Sequence, residues 1–516
     1  MQLQLQRLAS QRNPTMSMTH DDTVLNPELH NSLVALQALV QQAADAGTAL
    51  HEAERAIWQQ VLRIGRQALG SFFALLGDGD MGETITLPDG SSLQRLTELH
   101  ERPYVSVFGK FVLPRTVYGS REGQKIEFVP LDNRLQLPEG IFSYLLQDWD
   151  QSLCAEQAFG QVNDTIARIL GLKQSVDSLE HMNQQMAEAA TPYRFSRAVP
   201  PAAEEGELFV ASADGKGIVM RRQAGEPAPP AYRSKGEKAS CKRMATVGAV
   251  YSVDRYIRTP EEVVAALFRD DVKQKPPARP QPQHKHVWAS LPQEDATKVT
   301  GMTAVYVWMM WELCRRNVQQ QKETVYLYDG QEGLWEAGQE YLPQKNSVGI
   351  LDLLHVTPRL WQAAHLFHRE GSAEAEAFAR ERILRVLKGE VLLVVRGLRV
   401  MGTKHGLKGN KKKNLEKICG YLERNAERMA YHRYLAAGYP IASGVIEGAC
   451  RHVVKDRMER AGMHWTREGA EAMLEVRSLF VSGCWEAFQA FRIKQETKRL
   501  YPHRDLVEGS RFMMAI

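Results

Sequence analysis

The sequence lacks the segments that would carry a chain into or across a membrane. It has no run of 18 apolar residues, and its first 22 residues contain no apolar stretch such as a signal peptide needs. We therefore expect a protein without a membrane span, located in the cytoplasm.

Cysteine is scarce, and no two cysteines form a Cys-x-x-Cys pair. The six cysteines stand at positions 154, 241, 314, 419, 450 and 484 of 516 residues. This spacing is typical of buried thiols in a reducing compartment, not of a disulfide framework. No cysteine or histidine cluster lies near the predicted N-terminal sheet, so no structural zinc is expected.

A strong excess of one charge is also missing. The chain has 65 basic and 61 acidic residues, a net charge of +4, which does not by itself indicate a nucleic-acid partner. One local run does, because "TKHGLKGNKKK" concentrates positive charge that can hold a phosphate backbone. Its lysines are Lys404, Lys408, Lys411, Lys412 and Lys413. A solvated loop is the plainer interpretation of the run.

The length predicts several domains, and the residue patterns predict a multidomain α+β protein. Strand-like and helix-like segments alternate in the middle of the chain, which indicates an α/β sheet covered on both faces. The Pro-rich stretches 221–236 and 273–286 are predicted to be loops. The predicted regions are 1–25 disordered, 26–99 helical, 100–138 a small antiparallel β region, 139–200 a helix-turn-helix-like DNA-binding region, 201–368 the α/β part, 369–437 helical and basic, and 438–516 helical.

Residues 155–190 have the spacing of a helix-turn-helix. A short helix ends at the turn Gly171-Leu172-Lys173, and a second helix starts with Ser175 as its cap. An ordinary helical hairpin explains the pattern equally well. As a recognition helix, its exposed side would offer DNA the residues Lys173, Gln174, Ser178, His181 and Gln185.

Three aspartates stand at the predicted C-terminal ends of strands, where α/β sheets collect reactive groups. They are Asp214, Asp329 and Asp352, and Glu447 lies at the apolar start of a helix predicted over 440–459. Converging carboxylates repel one another unless a cation is present, and hard oxygen ligands select Mg²⁺ or Mn²⁺. Two such ions, roughly 3.5–4 Å apart, activate a water or a 3′-hydroxyl for attack on a phosphodiester. Taken singly, each aspartate is better explained as a cap of the helix or turn that follows it, and Glu447 as an acid favoured by the dipole near a helix N-terminus.

Arg451 and Lys455 follow Glu447 by four and eight residues. In a regular α-helix this spacing puts all three side chains on one face. The two cations are therefore predicted to meet the phosphates of a DNA strand at the acidic site.

Several segments resemble bacterial insertion-sequence transposases of the ISKra group. The resemblance covers roughly residues 100–490 and is strongest in "YPIASGVIEGACRHVVKDRMERAGMHWTREGAEAMLEVRSLF", with further support from "ASADGKGIVM", "VYLYDGQEGLW" and "ILDLLHVTPRLW". It implies a DDE transposase whose ribonuclease-H-like core is interrupted by a helical insertion. It also implies two Mg²⁺ or Mn²⁺ ions, double-stranded DNA as partner (element ends and target), a homo-oligomer on that DNA, and a nucleoid-associated place in a bacterial cell.

The resemblance also implies roles for single residues. Asp214 corresponds to the first acid of the triad and Glu447 to the last. Asp329 is the expected second acid, and Asp352 with His355 matches an Asp-x-x-His motif that supports the site. The alternative makes Asp352 the second ligand.

Further expectations concern the DNA. The helical segment 369–437 corresponds to an insertion that contacts DNA in similar transposases, which strengthens the interpretation of the lysine run. Trp465 is expected to stack on a flipped base, whereas Trp335 and Trp361 are expected in the core.

Two other functions remain open at this point. A metal-dependent nuclease on the same fold would need the same acids but would perform no strand transfer. A transposase remnant would bind DNA without cutting it.

Overall fold

The computed structural model describes residues 27–121, 125–221, 242–270, 278–292, 299–460 and 462–508. The segment 1–25, nearly all of 221–236 and part of 273–286 lie outside these ranges. The chain divides into two units, one formed by Met1–Leu146 with Thr497–Ile516 and the other by Gln147–Glu496.

The first unit combines a helical hairpin with short antiparallel strands. Its helices α1 (Pro27–Asp45) and α2 (Leu50–Leu76) are joined by four residues that include Gly47, whose φ of +61° suits a glycine. The strands begin at Thr84, ahead of the predicted bound at residue 100, because Gly90 allows a tight turn between the first two. The remaining elements are β1 (Thr84–Thr86), β2 (Ser92–Arg95), β3 (His100–Ser106), β4 (Gly109–Arg115), β5 (Tyr118–Gly119) and α3 (Pro130–Leu135).

The predicted helix-turn-helix segment is a run of helices at the start of the second unit. These are α4 (Tyr144–Glu156), α5 (Phe159–Leu170), α6 (Val176–Glu188) and α7 (Ala190–Ser196). The cap predicted at Ser175 is confirmed, since its side chain accepts a hydrogen bond from the backbone N–H of Ser178. Gly171 ends α5 in the left-handed conformation, as the predicted turn requires.

A five-stranded mixed sheet forms the centre of the second unit, in the order β10-β9-β6-β7-β8. Strands β6, β7 and β8 are mutually antiparallel, and β9 and β10 run parallel to β6. The strands are β6 (Leu208–Val219), β7 (Lys242–Val253), β8 (Gln283–Ser290), β9 (Glu323–Tyr328) and β10 (Ser347–Leu351).

Helices surround the sheet and share its core. Thr259 caps the first of them through a capping box with Glu262, the Thr-x-x-Glu spacing that such a box requires. These helices are α8 (Pro260–Phe268), α9 (Gly301–Arg316), α10 (Glu332–Tyr341) and α11 (Leu353–Phe367).

One local prediction in this unit is wrong. Strand β8 starts at Gln283, inside the Pro-rich stretch 273–286, because the consecutive residues Val287, Trp288 and Ala289 are buried and pair with β7 once the prolines have passed. Helix α11 begins at Leu353 and contains Pro358. Asp352 caps this helix by accepting the N–H of Leu354 at 2.8 Å.

The segment 369–437 is helical, as predicted, and packs on the sheet core. Phe378, Val395 and Leu422 belong to one apolar cluster with Phe209 and Ile350 of the sheet. The helices here and beyond are α12 (Ala373–Leu387), α13 (Val391–Lys404), α14 (Gly409–Arg424), α15 (Tyr431–Ala436), α16 (Gly444–Ala449), a π-helical turn (Cys450–Lys455), α17 (Asp456–Met458), α18 (Arg467–Val481) and α19 (Trp485–Leu500).

None of the helices in the described ranges is long and apolar enough to cross a membrane.

Candidate metal centre

Two parallel strands and their neighbour bring three aspartates to one edge of the sheet. Asp329 follows β9 directly, and Asp352 follows β10. Asp214 was predicted at a strand end but lies inside β6, which continues to Val219 because β7 stays paired with it. The pairing of β6 with β9 nevertheless stops at Ser212, two residues before Asp214. The carboxylate therefore projects where β6 and β9 part.

Asp329 stands in a turn that the surrounding helices hold tightly. Its Oδ1 accepts the N–H of Gln331 at 2.8 Å, and its backbone carbonyl accepts the indole N–H of Trp335 at 2.7 Å. The next residue, Gly330, lies against the ring of Tyr421 on α14, so any side chain there would collide with that ring. This contact explains the glycine and shows that α14 lies over the turn.

Asp352 is fully buried and engages protein partners through both carboxylate oxygens. Oδ1 accepts the N–H of Leu354 at 2.8 Å and that of Ser443 at 3.3 Å. Oδ2 accepts the hydroxyl of Ser443 and lies 3.2 Å from Nδ1 of His355. Asp352 thus joins the start of α11 to Ser443, the residue immediately before α16.

Helix α16 carries Glu447, whose backbone N–H donates to the carbonyl of Ser443 at 3.1 Å. One potential ligand atom each from Asp352, His355 and Glu447 lies within 4.8 Å of the other two. Asp214 and Asp329, predicted with Glu447 as the ligand triad, are outside this closest group. The structure therefore brings the Asp-x-x-His pair nearer to Glu447 than the sequence predicts.

The pKa shifts of Asp329, Glu447 and His355 indicate that these three groups lie within electrostatic range of Asp214 and Asp352. Burial raises the pKa of Asp329, and the charges of Asp214 and Asp352 raise it further. Burial also raises the pKa of Glu447, with added repulsion from Asp352 and then Asp214. The hydrogen bond to Asp352 raises the pKa of His355, and the carboxylates of Asp329 and Asp214 add to that effect. A cation bound beside Asp329 and Glu447 would offset the repulsion from neighbouring carboxylates that helps to raise the pKa of these two acids.

Sequence reasoning missed a contact on Asp214. The thiol of Cys450 donates to Asp214 Oδ2 at 3.6 Å, and the N–H of Gly215 donates to Oδ1 at 2.7 Å. Cys450 opens the π-helical turn that follows α16. Its position three residues after Glu447 was visible in the sequence, but the π turn that directs it to Asp214 was not.

The donor set fits a hard divalent cation. Carboxylate oxygens from β6, the end of β9 and α16 are the ligand type of Mg²⁺ and Mn²⁺. Asp352 offers less, because its burial and its bonds to Ser443, Leu354 and His355 occupy its oxygens.

The cations that follow Glu447 are exposed, but the regular spacing predicted for them does not hold. Residues Cys450–Lys455 form a π-helical turn, whose i→i+5 hydrogen bonds change the angle between successive side chains. The prediction that Lys455 lies on the same face as Glu447 assumed a regular α-helix, and that assumption does not hold here. Arg451 also forms an ion pair with Asp456, Nε to Oδ1 at 3.3 Å.

The lysine run lies where α13 ends and α14 begins, and all five lysines are exposed. Lys408 occupies the cap of α14, and Lys411 and Lys412 lie in its first turn. Positive charge is unfavourable at that end of a helix dipole, so these residues do not serve the helix itself. In the described parts of the chain none of the five forms an ion pair.

The five predicted contacts of the helix-turn-helix divide into two sets. Lys173, His181 and Gln185 are exposed. The amide of Gln174 instead donates to Asp150 Oδ1 at 3.0 Å, and the hydroxyl of Ser178 lies 2.8 Å from that of Ser175. The exposed side of α6 also carries the acids Asp177 and Glu188.

The structure contradicts the base-stacking role predicted for Trp465. The side chain is buried, its ring contacts Phe159 at a centroid distance of 6.4 Å, and the guanidinium of Arg457 lies over it. Its indole N–H donates to the carbonyl of Met458 at 3.2 Å. The backbone at this residue pairs with Met220 beside β6.

Comparison with known proteins does not place the chain in a family. It matches no protein-family model, and no curated protein matches it at a significant level. Among solved structures, it is similar to the Drosophila P element transposase strand transfer complex, with 9% sequence identity over 71% of this chain and 82% of that chain, at a TM-score of 0.22. Neither a shared fold nor a function follows from a likeness at that TM-score.

Proposed function

We propose that the protein is the DNA transposase of an insertion sequence, acting through a DDE triad of Asp214, Asp329 and Glu447. The observation that carries the proposal is the electrostatic coupling of these acids, which stand on β6, after β9 and on α16: the charge of Asp214 contributes to the raised pKa of both Asp329 and Glu447. The resemblance of the surrounding segments to ISKra-group transposases supports the same reading.

The sheet supports a ribonuclease-H-like core. Three antiparallel strands are followed by two parallel ones, with β6 in the middle of the order β10-β9-β6-β7-β8. The first acid lies on this central strand, the second follows its parallel neighbour, and the third lies on a helix reached after the helical segment 369–437. The resemblance implies that arrangement.

The triad would hold the metal ions, and the rest of the site would hold the triad. Mg²⁺ bound there supplies activation of the attacking water or 3′-hydroxyl and stabilisation of the leaving oxygen. Asp352 orients His355 through Nδ1 and keeps Ser443 in place at the start of the Glu447 helix. With Nδ1 of His355 held by Asp352, its Nε2 would serve as the atom that binds a metal ion or a phosphate oxygen, as in a carboxylate–histidine pair.

The alternative assignment, with Asp352 as second ligand, has one observation in its favour. Asp352 is in the closest group with Glu447, and Asp329 is not. We prefer Asp329 because both carboxylate oxygens of Asp352 accept hydrogen bonds, from Leu354 and Ser443, and are therefore less available to a cation. Removing a metal ligand should abolish activity at every Mg²⁺ concentration, whereas removing a supporting residue should leave residual activity.

Double-stranded DNA, the element ends and the target, is the proposed substrate. The lysines that end α13 and begin α14 would bind its phosphates without reading sequence. Because α14 also lies over the turn at Asp329, through Tyr421 against Gly330, this basic surface and the acidic site are on connected elements.

The test is a cleavage and strand-transfer assay on DNA flanking the gene, comparing the wild type with Glu447→Gln, Asp329→Asn and Asp352→Asn. Glu486→Gln, an exposed acid on α19, serves as the matched control. We expect Mg²⁺-dependent cleavage and joining by the wild type and control, and none by the Glu447 and Asp329 variants.

Other outcomes would identify the alternatives. Cleavage without joined products would make the protein a nuclease. Binding without cleavage under Mg²⁺ and Mn²⁺ would make it a DNA-binding remnant, and cleavage unaffected by Glu447→Gln would place the chemistry elsewhere.

A further inference from the structure

Almost none of the residues in the helical hairpin formed by α1 and α2 is buried. No residue of the 19 in α1 is buried, and Gln60 is the one buried residue of the 27 in α2. The two helices do contact each other, since the amide of Gln60 donates to the carbonyl of Ser32 at 2.8 Å. On its far side α2 packs against the β3–β4 hairpin, where Phe73 lies 5.4 Å from Phe111 between ring centroids.

Each helix has a second apolar seam, which is exposed. On α2 the positions Val61, Ala68, Phe72 and Leu75 follow one another at steps of seven, four and three. On α1 the corresponding residues, Leu33 and Val40, are seven apart. Steps of three, four and seven are the spacing with which one helix packs against another in a coiled coil.

Both seams lie on the same side of the hairpin. Val61 comes one residue after Gln60, and Leu33 one residue after Ser32, the two residues that join the helices. One residue is a rotation of about 100°. Because the helices are antiparallel, the same rotation in the chain direction turns both seams to one side.

The resulting surface has the size of a contact site. The exposed fractions are 39% for Leu33, 48% for Val40, 41% for Val61, 48% for Phe72 and 78% for Leu75. At roughly 150–200 Å² for each fully exposed side chain, they leave on the order of 400 Å² of apolar surface per copy. Two such faces with their polar rims approach about 1,000 Å², the lower limit for a specific interface.

We propose that this two-helix face is the surface through which two copies of the chain associate. A layer of two helices needs a second layer to bury its apolar side. A second copy supplies one with the same seams, because a two-fold axis sets α1 of one copy on α2 of the other and completes a four-helix arrangement. The inference rests on the proposed function in one respect: a transposase that joins two DNA ends needs two active sites.

The experiment is sedimentation velocity of the full chain without DNA, over roughly 0.1–50 μM. We expect a dimer, and we expect Phe72→Glu and Leu33→Glu each to raise its dissociation constant by at least about 100-fold, because each puts a charge into the apolar contact. Leu393→Glu is the matched control, since Leu393 is an exposed leucine (53%) on α13. Circular dichroism and thermal unfolding show whether each variant folds as the wild type does.

Two results would overturn the proposal. One is a wild type that is monomeric over this range, and the other is a dimer that both glutamate variants leave intact. If the wild type is monomeric, replacing Leu5 and Leu8 by glutamate identifies the occupant, because a variant that then dimerises would assign the face to the segment 1–26.

The oligomer measurement is independent of catalysis. Glu447→Gln should dimerise like the wild type even though it cannot cut DNA. A dimer with no cleavage would remove the transposase proposal alone, and cleavage by a monomer would remove the dimer face alone.

Discussion

The carboxylate of Asp352 accepts the hydroxyl hydrogen bond of Ser443, so the turn after β10 holds the start of the helix that carries Glu447. Residues 91 positions apart in the chain are joined here, with the helical segment 369–437 between them. The position of Glu447 therefore depends on a buried polar pair that does not itself need to touch substrate.

Removing that pair should loosen Glu447. Ser443→Ala leaves Asp352 Oδ2 without its hydroxyl donor in a fully buried place, which costs about 1–3 kcal/mol of unfolding free energy. Urea unfolding measures the loss, and Ser91→Ala, which removes an exposed hydroxyl bonded to Asp89, should change stability by less than about 0.5 kcal/mol. Equal losses in the two variants would contradict the structural role of the pair.

Cys450 should act on metal binding through Asp214. Cys450→Ser keeps a donor for Asp214 Oδ2, whereas Cys450→Val removes it. We expect the valine variant to need roughly tenfold more Mg²⁺ for half-maximal cleavage, with the serine variant near the wild type, as outer contacts of metal ligands usually show. The readout is the Mg²⁺ titration of the initial rate. Identical Mg²⁺ titrations for the valine and serine variants would mean that the thiol of Cys450 does not help to position Asp214.

Asp150 should give the protein a pH-dependent stability. Burial raises the pKa of this carboxyl to about 7, and its Oδ1 accepts the amide of Gln174. The unfolded chain releases the proton near pH 4, so the stabilisation is full below that pH and is lost as pH rises to about 7. The loss amounts to at most about 4 kcal/mol.

Asp150→Asn should therefore flatten the profile between pH 4 and 7 and be more stable than the wild type at pH 8. Denaturant unfolding at several pH values checks this. Asp164→Asn, at an exposed site on α5, should keep the wild-type profile. An asparagine variant with the wild-type slope would mean that Asp150 is charged in the folded protein at neutral pH.

The lysine run should contribute to affinity for any DNA duplex. Lys412→Ala with Lys413→Ala should weaken binding and reduce the slope of log K against log salt by up to about 1.8, since each phosphate contact contributes about 0.9. Fluorescence anisotropy at several salt concentrations measures both. The matched pair Lys345→Ala with Lys498→Ala, also exposed, should leave the slope unchanged. A slope that both pairs reduce equally would assign the effect to net charge.

Local signals in the sequence predicted local structure well. Thr259 with Glu262, and Ser175 before α6, are caps whose chemistry acts within four residues, so the chain need not be folded to reveal them. Strand β8 is not predicted because prolines in the same stretch obscure the short apolar run Val287-Trp288-Ala289, which is buried. The sequence predicts that β6 ends at Asp214, but pairing with β7 extends the strand to Val219, and the partners of that extension, Lys242 to Thr246, are distant in the chain.

The sequence by itself determined which residues could carry chemistry: the four acids, the histidine three residues after Asp352, and the lysine run. Residue type and spacing along the chain are sufficient for that. Tertiary structure alone decided which of them meet. Trp465 is buried, and the carboxylate of Asp352 accepts the hydroxyl hydrogen bond of Ser443. A π-helical turn places the thiol of Cys450 against Asp214. Those outcomes depend on burial and on hydrogen bonds between distant segments, which no local pattern encodes.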